Sequence, residues 1–297
     1  MSLPLTETRN ADTLEIDTLP TLDMLRRINE EDAKIITAVQ KETGQIAKVV
    51  DEVAQRVALG GRLIYMGAGT SGRLGILDAS EMPPTFSVPS GMVIGIIAGG
   101  DSAIRKAVEG AEDDVDQGRR DLLALHPTPN DTLVGIAASG RTPYVIGALQ
   151  TAREMGMLAV SFACTWPAPI HEFADIAIAP QVGPEVITGS TRMKAGTATK
   201  LVLNMISTGV MIKLGKTYGN LMVDLQATNS KLKDRARRIV ETACGINRDE
   251  ALTLLARCNG EVKTAIVSHQ TGVSADEARA LLAQAHGRVR EAIANKM

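Results

Sequence analysis

Two hydroxyl-bearing turns, Thr70-Ser71-Gly72 and Ser139-Gly140-Arg141, are the residues best placed to do chemistry. The first closes the string Met66-Gly67-Ala68-Gly69-Thr70-Ser71-Gly72-Arg73, which follows an apolar run. A strand, a Gly-rich turn and a helix start together aim backbone N–H groups outward at the positive end of a helix dipole, where anions bind. Gly69 lets the backbone approach a ligand, and the Thr70 and Ser71 hydroxyls add donors. The spacing G-x-G-x-x-G is formally present in Gly67, Gly69 and Gly72. No acidic residue ends a second strand where a ribose needs one, so a dinucleotide reading fails. The second turn repeats the arrangement, with Thr142 ahead of a proline, Pro143, that suits a first helical position. Hydroxyls without a P-loop lysine suit a phosphate monoester that is held rather than transferred. One such turn could equally be a helix cap. Two on one sheet edge favour a sugar phosphate as ligand.

A third polar stretch, residues 185–197, contains Glu185, Ser190, Thr191, Arg192 and Lys194 ahead of an apolar helical run. It reads either as a capped helix N-terminus or as a sugar-binding loop. Other chemistries find less support. His126 and His171 are isolated, no His, Asp and Glu grouping has metal-ligand spacing, and Ser139 lacks the G-x-S-x-G context of a hydrolase nucleophile. No metal or other cofactor is expected.

The elements that must position these turns alternate. Apolar runs at 62–66, 92–98, 132–137, 158–161 and 176–178 read as strands. Residues 74–80, 102–114, 143–154 and 170–174 read as helices between them. Strands that are apolar on both faces and joined by helices imply a mostly parallel sheet covered on both sides. Right-handed crossovers then bring every strand-to-helix loop to one edge. The spacing also predicts one long helix over 32–59, capped by Asp32 and stopped at Gly60-Gly61, and another over 191–213. Residues 1–31 read as a polar extension, 32–234 as the α/β body, and 235–297 as a small all-helical module. No strand signal follows Thr217-Tyr218-Gly219-Asn220.

Bulk composition narrows the partners. With 44% hydrophobic and 22% charged residues in 297, the chain can build a sizeable core. Aromatic residues are only 2% and the net charge is −2, which argues against nucleic acid. Arg235, Arg237 and Arg238 have acidic neighbours and read as a solvated face. No apolar run reaches the ~20 residues of a membrane span, and the acidic N-terminus has no signal-peptide core. Cys164, Cys244 and Cys258 are scattered, as in a reducing compartment. A cytoplasmic protein is expected.

The paired turns on a parallel sheet resemble the SIS (sugar isomerase) domain. Longer strings are more specific. Gly67-Ala-Gly-Thr-Ser-Gly-Arg-Leu-Gly75, Asp78-Ala-Ser-Glu-Met-Pro-Pro-Thr-Phe86, Ala98-Gly-Gly-Asp101 and Ile187-Thr-Gly-Ser-Thr-Arg-Met-Lys-Ala-Gly196 resemble the N-acetylmuramic acid 6-phosphate etherases. The likeness runs from Thr6-Glu7-Thr8-Arg9-Asn10 into the C-terminal helices. The much longer glucokinase regulatory proteins resemble the same strings.

The resemblance implies a homodimeric lyase, without metal or nucleotide, that removes a 3-O-lactyl ether and yields N-acetylglucosamine 6-phosphate and D-lactate. It places the two catalytic carboxyls on Glu81, as proton donor to lactate and activator of water, and on Glu112, as base at C2. Elimination is the easier route for an ether, because C2 of the open-chain sugar is α to an aldehyde. Both carboxyls are expected to be buried, with pKa values moved toward neutrality. The turns alone leave two other readings open, an aldose–ketose isomerase and a non-catalytic phosphosugar sensor.

Overall fold

The computed structural model describes residues 4–225 and 230–296. The chain divides into two compact units, Met1–Ser80 with Gly91–Ser207, and Glu81–Ser90 with Thr208–Met297.

In the first unit, three 3-10 turns (Leu5–Glu7, Ala11–Thr13 and Ile16–Thr18) lead into helix α1 (Thr21–Lys41) and helix α2 (Thr43–Ala58). The single helix expected over 32–59 is therefore two, and the first begins well before Asp32. The N-terminal turns of α1 escape a periodicity reading because they bury nothing in this chain. Leu22 and Leu25 are more than half exposed, and burial begins only at Glu31 and Ile35. The helices part at Glu42, whose carboxylate instead accepts the Ala179 N–H at 3.0 Å.

The sheet follows: β1 (Leu63–Gly67), helix α3 (Gly69–Phe86), β2 (Val93–Ile97), a short helix α4 (Ser102–Arg105), helix α5 (Val115–Leu123), β3 (Thr132–Ile136), helix α6 (Pro143–Glu154), β4 (Leu158–Phe162) and β5 (Ile176–Ile178). All pairings are parallel, in the order β2-β1-β3-β4-β5. β1, β3 and β4 are buried at every position, as strands covered on both faces must be. Helix α7 (Lys194–Lys213) comes after β5. This is the five-stranded α/β sheet expected.

Two helices differ from expectation for local reasons. The helix expected over 102–114 survives only as α4, because Lys106 is extended and Gly110 is left-handed at φ 72°. α5 is then capped by Asp114, whose side chain accepts the Gln117 N–H at 2.8 Å, and its polar sequence hides it from an apolar count. Residues 170–174, expected as helix, form the 3-10 turn Pro169–Phe173.

α3 starts at Gly69 rather than at 74, so Thr70, Ser71 and Gly72 are its first turn. It also runs through Pro83-Pro84 instead of ending before them. That deprives the Ala79 and Ser80 carbonyls of their donors four residues on. Gly72 is obligatory where α3 leaves β1, since a Cβ would lie 2.6 Å from both the Gly67 carbonyl oxygen and Ile97 Cγ1.

The far edge of the sheet is clamped by one carboxylate. Asp131, 1% exposed, accepts from Arg62 N (2.7 Å), Nε (3.0 Å) and Nη2 (2.6 Å), and from Thr128 N (2.8 Å). These bonds fix β1 against β3. In the middle of the unit, Tyr65 of β1 donates to Asp78 of α3 at 3.0 Å, and Ser207 of α7 donates to the same carboxylate at 3.2 Å.

The second unit holds a two-stranded antiparallel hairpin, β6 (Thr217–Tyr218) and β7 (Leu221–Met222), and helices α8 (Ser230–Cys244), α9 (Arg248–Arg257), α10 (Val262–Thr271), α11 (Ala275–Gln284) and α12 (Val289–Ala294). The hairpin, absent from the sequence reading, is too short to show alternation. Helix α8 is described from Ser230 onward.

α9–α10 and α11–α12 are two copies of one pattern at a constant offset. Asn247 and Ser274 each form a capping box, with Glu250 and Glu277. Asn259 and His286 are each left-handed, at φ 53° and 50°. The following glycine N–H returns to Leu255 O at 2.8 Å in one copy and to Leu282 O at 2.7 Å in the other. Val262, Ala265 and Ile266 in the first match Val289, Ala292 and Ile293 in the second. Arg235 and Arg238 are exposed as expected of a solvated face, whereas Arg237, with its side chain 11% exposed, is held against the helix by Asp234 and Glu241. Among the described residues no helix is long and apolar enough to cross a membrane.

The clamp predicts a pH effect. Burial alone would raise the Asp131 pKa, but the Arg62 guanidinium and the backbone donors outweigh it and hold the carboxyl below its ordinary range. Its contribution is complete above the ordinary aspartate pKa and disappears as pH falls through the lowered value. Asp131→Ala should cost about 2 kcal/mol at pH 7, measured by urea denaturation, and the difference from wild type should shrink below pH 4.

Candidate active site

The order β2-β1-β3-β4-β5 creates a reversal point between β1 and β3, outside whose C-terminal ends ligands bind in open α/β sheets. Both hydroxyl-bearing turns stand there. After β1, Gly69 is left-handed at φ 52° and opens α3. The first-turn N–H groups of α3 have no partner inside the helix and carry its positive end. After β3, Gly140 is left-handed at φ 69°, and its N–H donates to Ala137 O at 2.8 Å. A Cβ on Gly140 would lie 2.3 Å from that of Ala168. Thr142 is the N-cap of α6 yet makes no side-chain cap bond, and Pro143 takes the first helical position.

Between the turns lies a polar cavity of about 250 Å³. α3 brings Gly69, Thr70 and Ser71 to it, and the β3–α6 loop brings Ser139 and Thr142. Thr191 and Thr199 come from the start of α7, and Glu112 from the loop before α5. A second cavity, about 270 Å³, adjoins it and shares Ala68, Gly69 and Glu112. Its wall is set by Arg73, which donates to the Ala103 and Ile104 carbonyls at 2.8 Å each. Glu112 thus stands where two chambers meet. Hydroxyls, helix-start N–H groups and one carboxylate are what a held phosphate ester with an adjacent acidic carbon requires.

Other expected site residues lie elsewhere. Glu185 and Lys194 are not on the cavity wall: they are 0% and 1% exposed. The Glu185 carboxylate caps α7, accepting from Lys194 N and Ala195 N at 2.9 Å each. Burial pushes its pKa up, against the pull of those two donors. The Lys194 ammonium donates to Glu31 Oε2 at 2.6 Å, and Asn10 Nδ2 donates to the same oxygen at 2.9 Å. These bonds brace the start of α7 from within and keep both side chains out of water.

Ser190 is half-buried in that loop and lines neither cavity. Arg141 lines a separate groove with Trp166 and His171. Glu81 is exposed on α3 and borders neither cavity, and Glu112 is exposed as well. The burial expected of the two carboxyls is not provided within the single chain. His171 is tied up otherwise, with Nδ1 sharing a hydrogen bond with Ser161 Oγ at 2.8 Å and its ring stacked on Trp166. His126 is a left-handed residue after α5.

Sequence reasoning missed two lining residues. Thr199 is concealed within the apolar face of α7. Glu7 arrives from the N-terminal extension, and only its place in the Thr6–Asn10 string could have marked it. No group of three or more metal-ligating side chains stands together among the described residues.

Comparison with known proteins agrees with this geometry. A model of the glucokinase regulatory protein N-terminal SIS domain matches residues 45–153, and the SIS domain model matches residues 116–208. The N-acetylmuramic acid 6-phosphate etherase of Caldanaerobacter subterraneus subsp. tengcongensis is 60% identical over 263 residues, 89% of this chain and 86% of that one. The protein of the same name from Cronobacter sakazakii is 59% identical over 261 residues, 88% of each. Among solved structures, a phosphoheptose isomerase from Francisella tularensis matches with a TM-score of 0.52 at 17% identity, over 65% of this chain and all of that one, a likeness of fold alone.

The buried cluster makes its own prediction. Lys194→Ala leaves the Glu31 carboxylate, 2% exposed, without its buried cation and with only the half-exposed Lys34 beside it, and should cost about 2–3 kcal/mol in chemical denaturation. Burial raises the Glu31 pKa, but bonds from Lys194, Lys34 and Asn10 more than offset it and bring it down to about 2. The wild-type contribution should therefore hold at neutral pH and fade only as pH drops from the ordinary glutamate range toward 2.

Proposed function

The chain belongs to the N-acetylmuramic acid 6-phosphate etherase family, and from that premise we propose how its residues divide the work. It is a carbon–oxygen lyase acting on a phosphorylated amino sugar. The observation that carries the assignment is Glu112 on the same cavity as the hydroxyls of Thr70, Ser71, Ser139 and Thr142.

In this reading the hydroxyls and the start of α3 hold the 6-phosphate, with the Ser139-Gly140-Arg141 turn on its other side. Glu112 removes the C2 proton of the open-chain sugar. The electron pair forms the C2–C3 double bond, the C3–O bond breaks, and Glu81 protonates the departing lactate oxygen. Glu81 then takes a proton from water as its oxygen adds to C3, and C2 regains a proton from Glu112. No cofactor takes part.

The same reading makes the enzyme a homodimer with the site near the interface. Leu14, Leu22, Leu25 and Ile36, each more than half exposed, offer an apolar face that a second copy would cover. A second copy would also supply the burial that the two glutamates lack in one chain. Residues 1–31 serve as an extension, 32–234 as the phosphosugar-binding domain and 235–297 as a helical module. The three cysteines are free thiols, which fits a cytoplasmic protein.

Incubation with N-acetylmuramic acid 6-phosphate should release D-lactate, and in heavy-oxygen water the label should appear at C3 of the sugar. Glu112→Gln and Glu81→Gln should each lower kcat by at least about a hundredfold. Full lactate release by Glu81→Gln would overturn the role given to that residue. An isomerase would instead interconvert aldose and ketose phosphates without lactate.

A further inference from the structure

The N-terminal segment sends one charged side chain to the cavity, Glu7, and the reaction as written does not use it. Glu7 ends the 3-10 turn Leu5–Glu7, which is anchored by the fully buried Thr6 and by the Thr8 hydroxyl donating to Leu5 O at 2.8 Å. Further along, Asn10 donates to Glu31 and to Pro184 O (3.3 Å), and Thr13 Oγ1 donates to Val186 O at 2.9 Å. These bonds tie the segment to the loop before α7. Glu7 Oε2 in turn lies 3.2 Å from where a Cβ on Gly189 would stand. The carboxylate is therefore carried on a braced turn against the cavity mouth.

The chemistry of the pocket decides what that carboxylate can meet. Apart from Glu112, which the reaction already uses, the polar groups on the rest of the wall are hydroxyls and helix-start N–H, suited to an anion, whereas a carboxylate repels one. It is an acceptor only. The phosphate and the lactyl carboxylate of the substrate are excluded as its partners, which leaves the neutral donors, the sugar hydroxyls and the acetamido N–H, and of these the hydroxyls are common to every sugar phosphate. We propose that Glu7 contacts the substrate directly, accepts hydrogen bonds from sugar hydroxyls, and so makes the cavity select a phosphosugar over phosphate itself. The inference rests on the reading that this cavity holds the phosphosugar.

Two probes with opposite expectations test it on the full chain. In titration calorimetry, Glu7→Gln should bind N-acetylglucosamine 6-phosphate about tenfold more weakly than wild type. Inorganic phosphate should bind as well or a few-fold better, because a nearby negative charge has gone. In steady state, KM for N-acetylmuramic acid 6-phosphate should rise about tenfold while kcat stays within about threefold. Glu7→Asp keeps the charge but withdraws it by one methylene, so it should lose the sugar and treat phosphate as wild type does.

Equal weakening of both probes by Glu7→Gln would make the residue a structural prop, and no change in either would make it a bystander. Both results overturn the assignment. Wild-type protein that neither releases lactate nor binds the sugar phosphate would instead overturn the etherase reading beneath it.

Discussion

A parallel sheet in the order β2-β1-β3-β4-β5 has one place where the winding reverses, between β1 and β3, and the helices leaving those two strands go to opposite faces. The loops leaving the two strands there turn away from each other, and the cavity lined by Gly69, Thr70, Ser71, Ser139 and Thr142 lies in the gap between them. Two helix starts face the gap, so its floor carries positive potential before any side chain is considered. The hydroxyls of α3 and α6 are thus additions to a field that topology supplies. Asp131 and Arg62 hold the opposite ends of the same two strands, which keeps that gap at a fixed width.

The wall facing the gap depends on buried charge. Glu31, Lys194 and Glu185 lie out of water, and desolvation on that scale is tolerated because the lysine pairs directly with Glu31 and both carboxylates accept two or more hydrogen bonds. A hydrophobic cluster could have bound α1 to α7 as strongly. It would not have fixed the rotation of α7 about its own axis, which decides whether Thr199 faces the cavity. Charge pairs of defined geometry fix that rotation, and the same lysine and glutamate secure the N-terminal segment through Asn10.

How much of this could be read from the residues followed from what periodicity can detect. All five strands were legible as short apolar runs, β1, β3 and β4 because they are buried at every position, and β2 and β5 by composition although they are only partly buried. α6 was legible because Pro143 and Gly156 bracket it. α5 was not, since its stability comes from an Asp114 cap and one buried face rather than from an apolar stripe. The hydroxyl-bearing turns were legible as spacing, whereas the stretch with Glu185 and Lys194 reads equally as a capped helix start or a binding loop, because a buried charge and a binding charge look alike in sequence. Only the contact partner distinguishes them. Glu7 was hidden by distance along the chain, which pattern reading cannot cross.

The duplicated pair of helices in the C-terminal unit has a consequence for how that unit responds to change. α10 packs against α8 and α9 on one side of the repeat and against α11 and α12 on the other, with Ala265 and Ile266 wholly buried in the shared core. The unit thus behaves as a short one-dimensional array in which each element is stabilised by its neighbours and α10 couples the two halves. Damage to α10 propagates both ways, whereas damage to α12 stays local. Growth has a natural quantum as well. A whole further copy of the pattern could be appended in phase with the existing packing, while a single inserted residue inside one copy would put every later contact out of step.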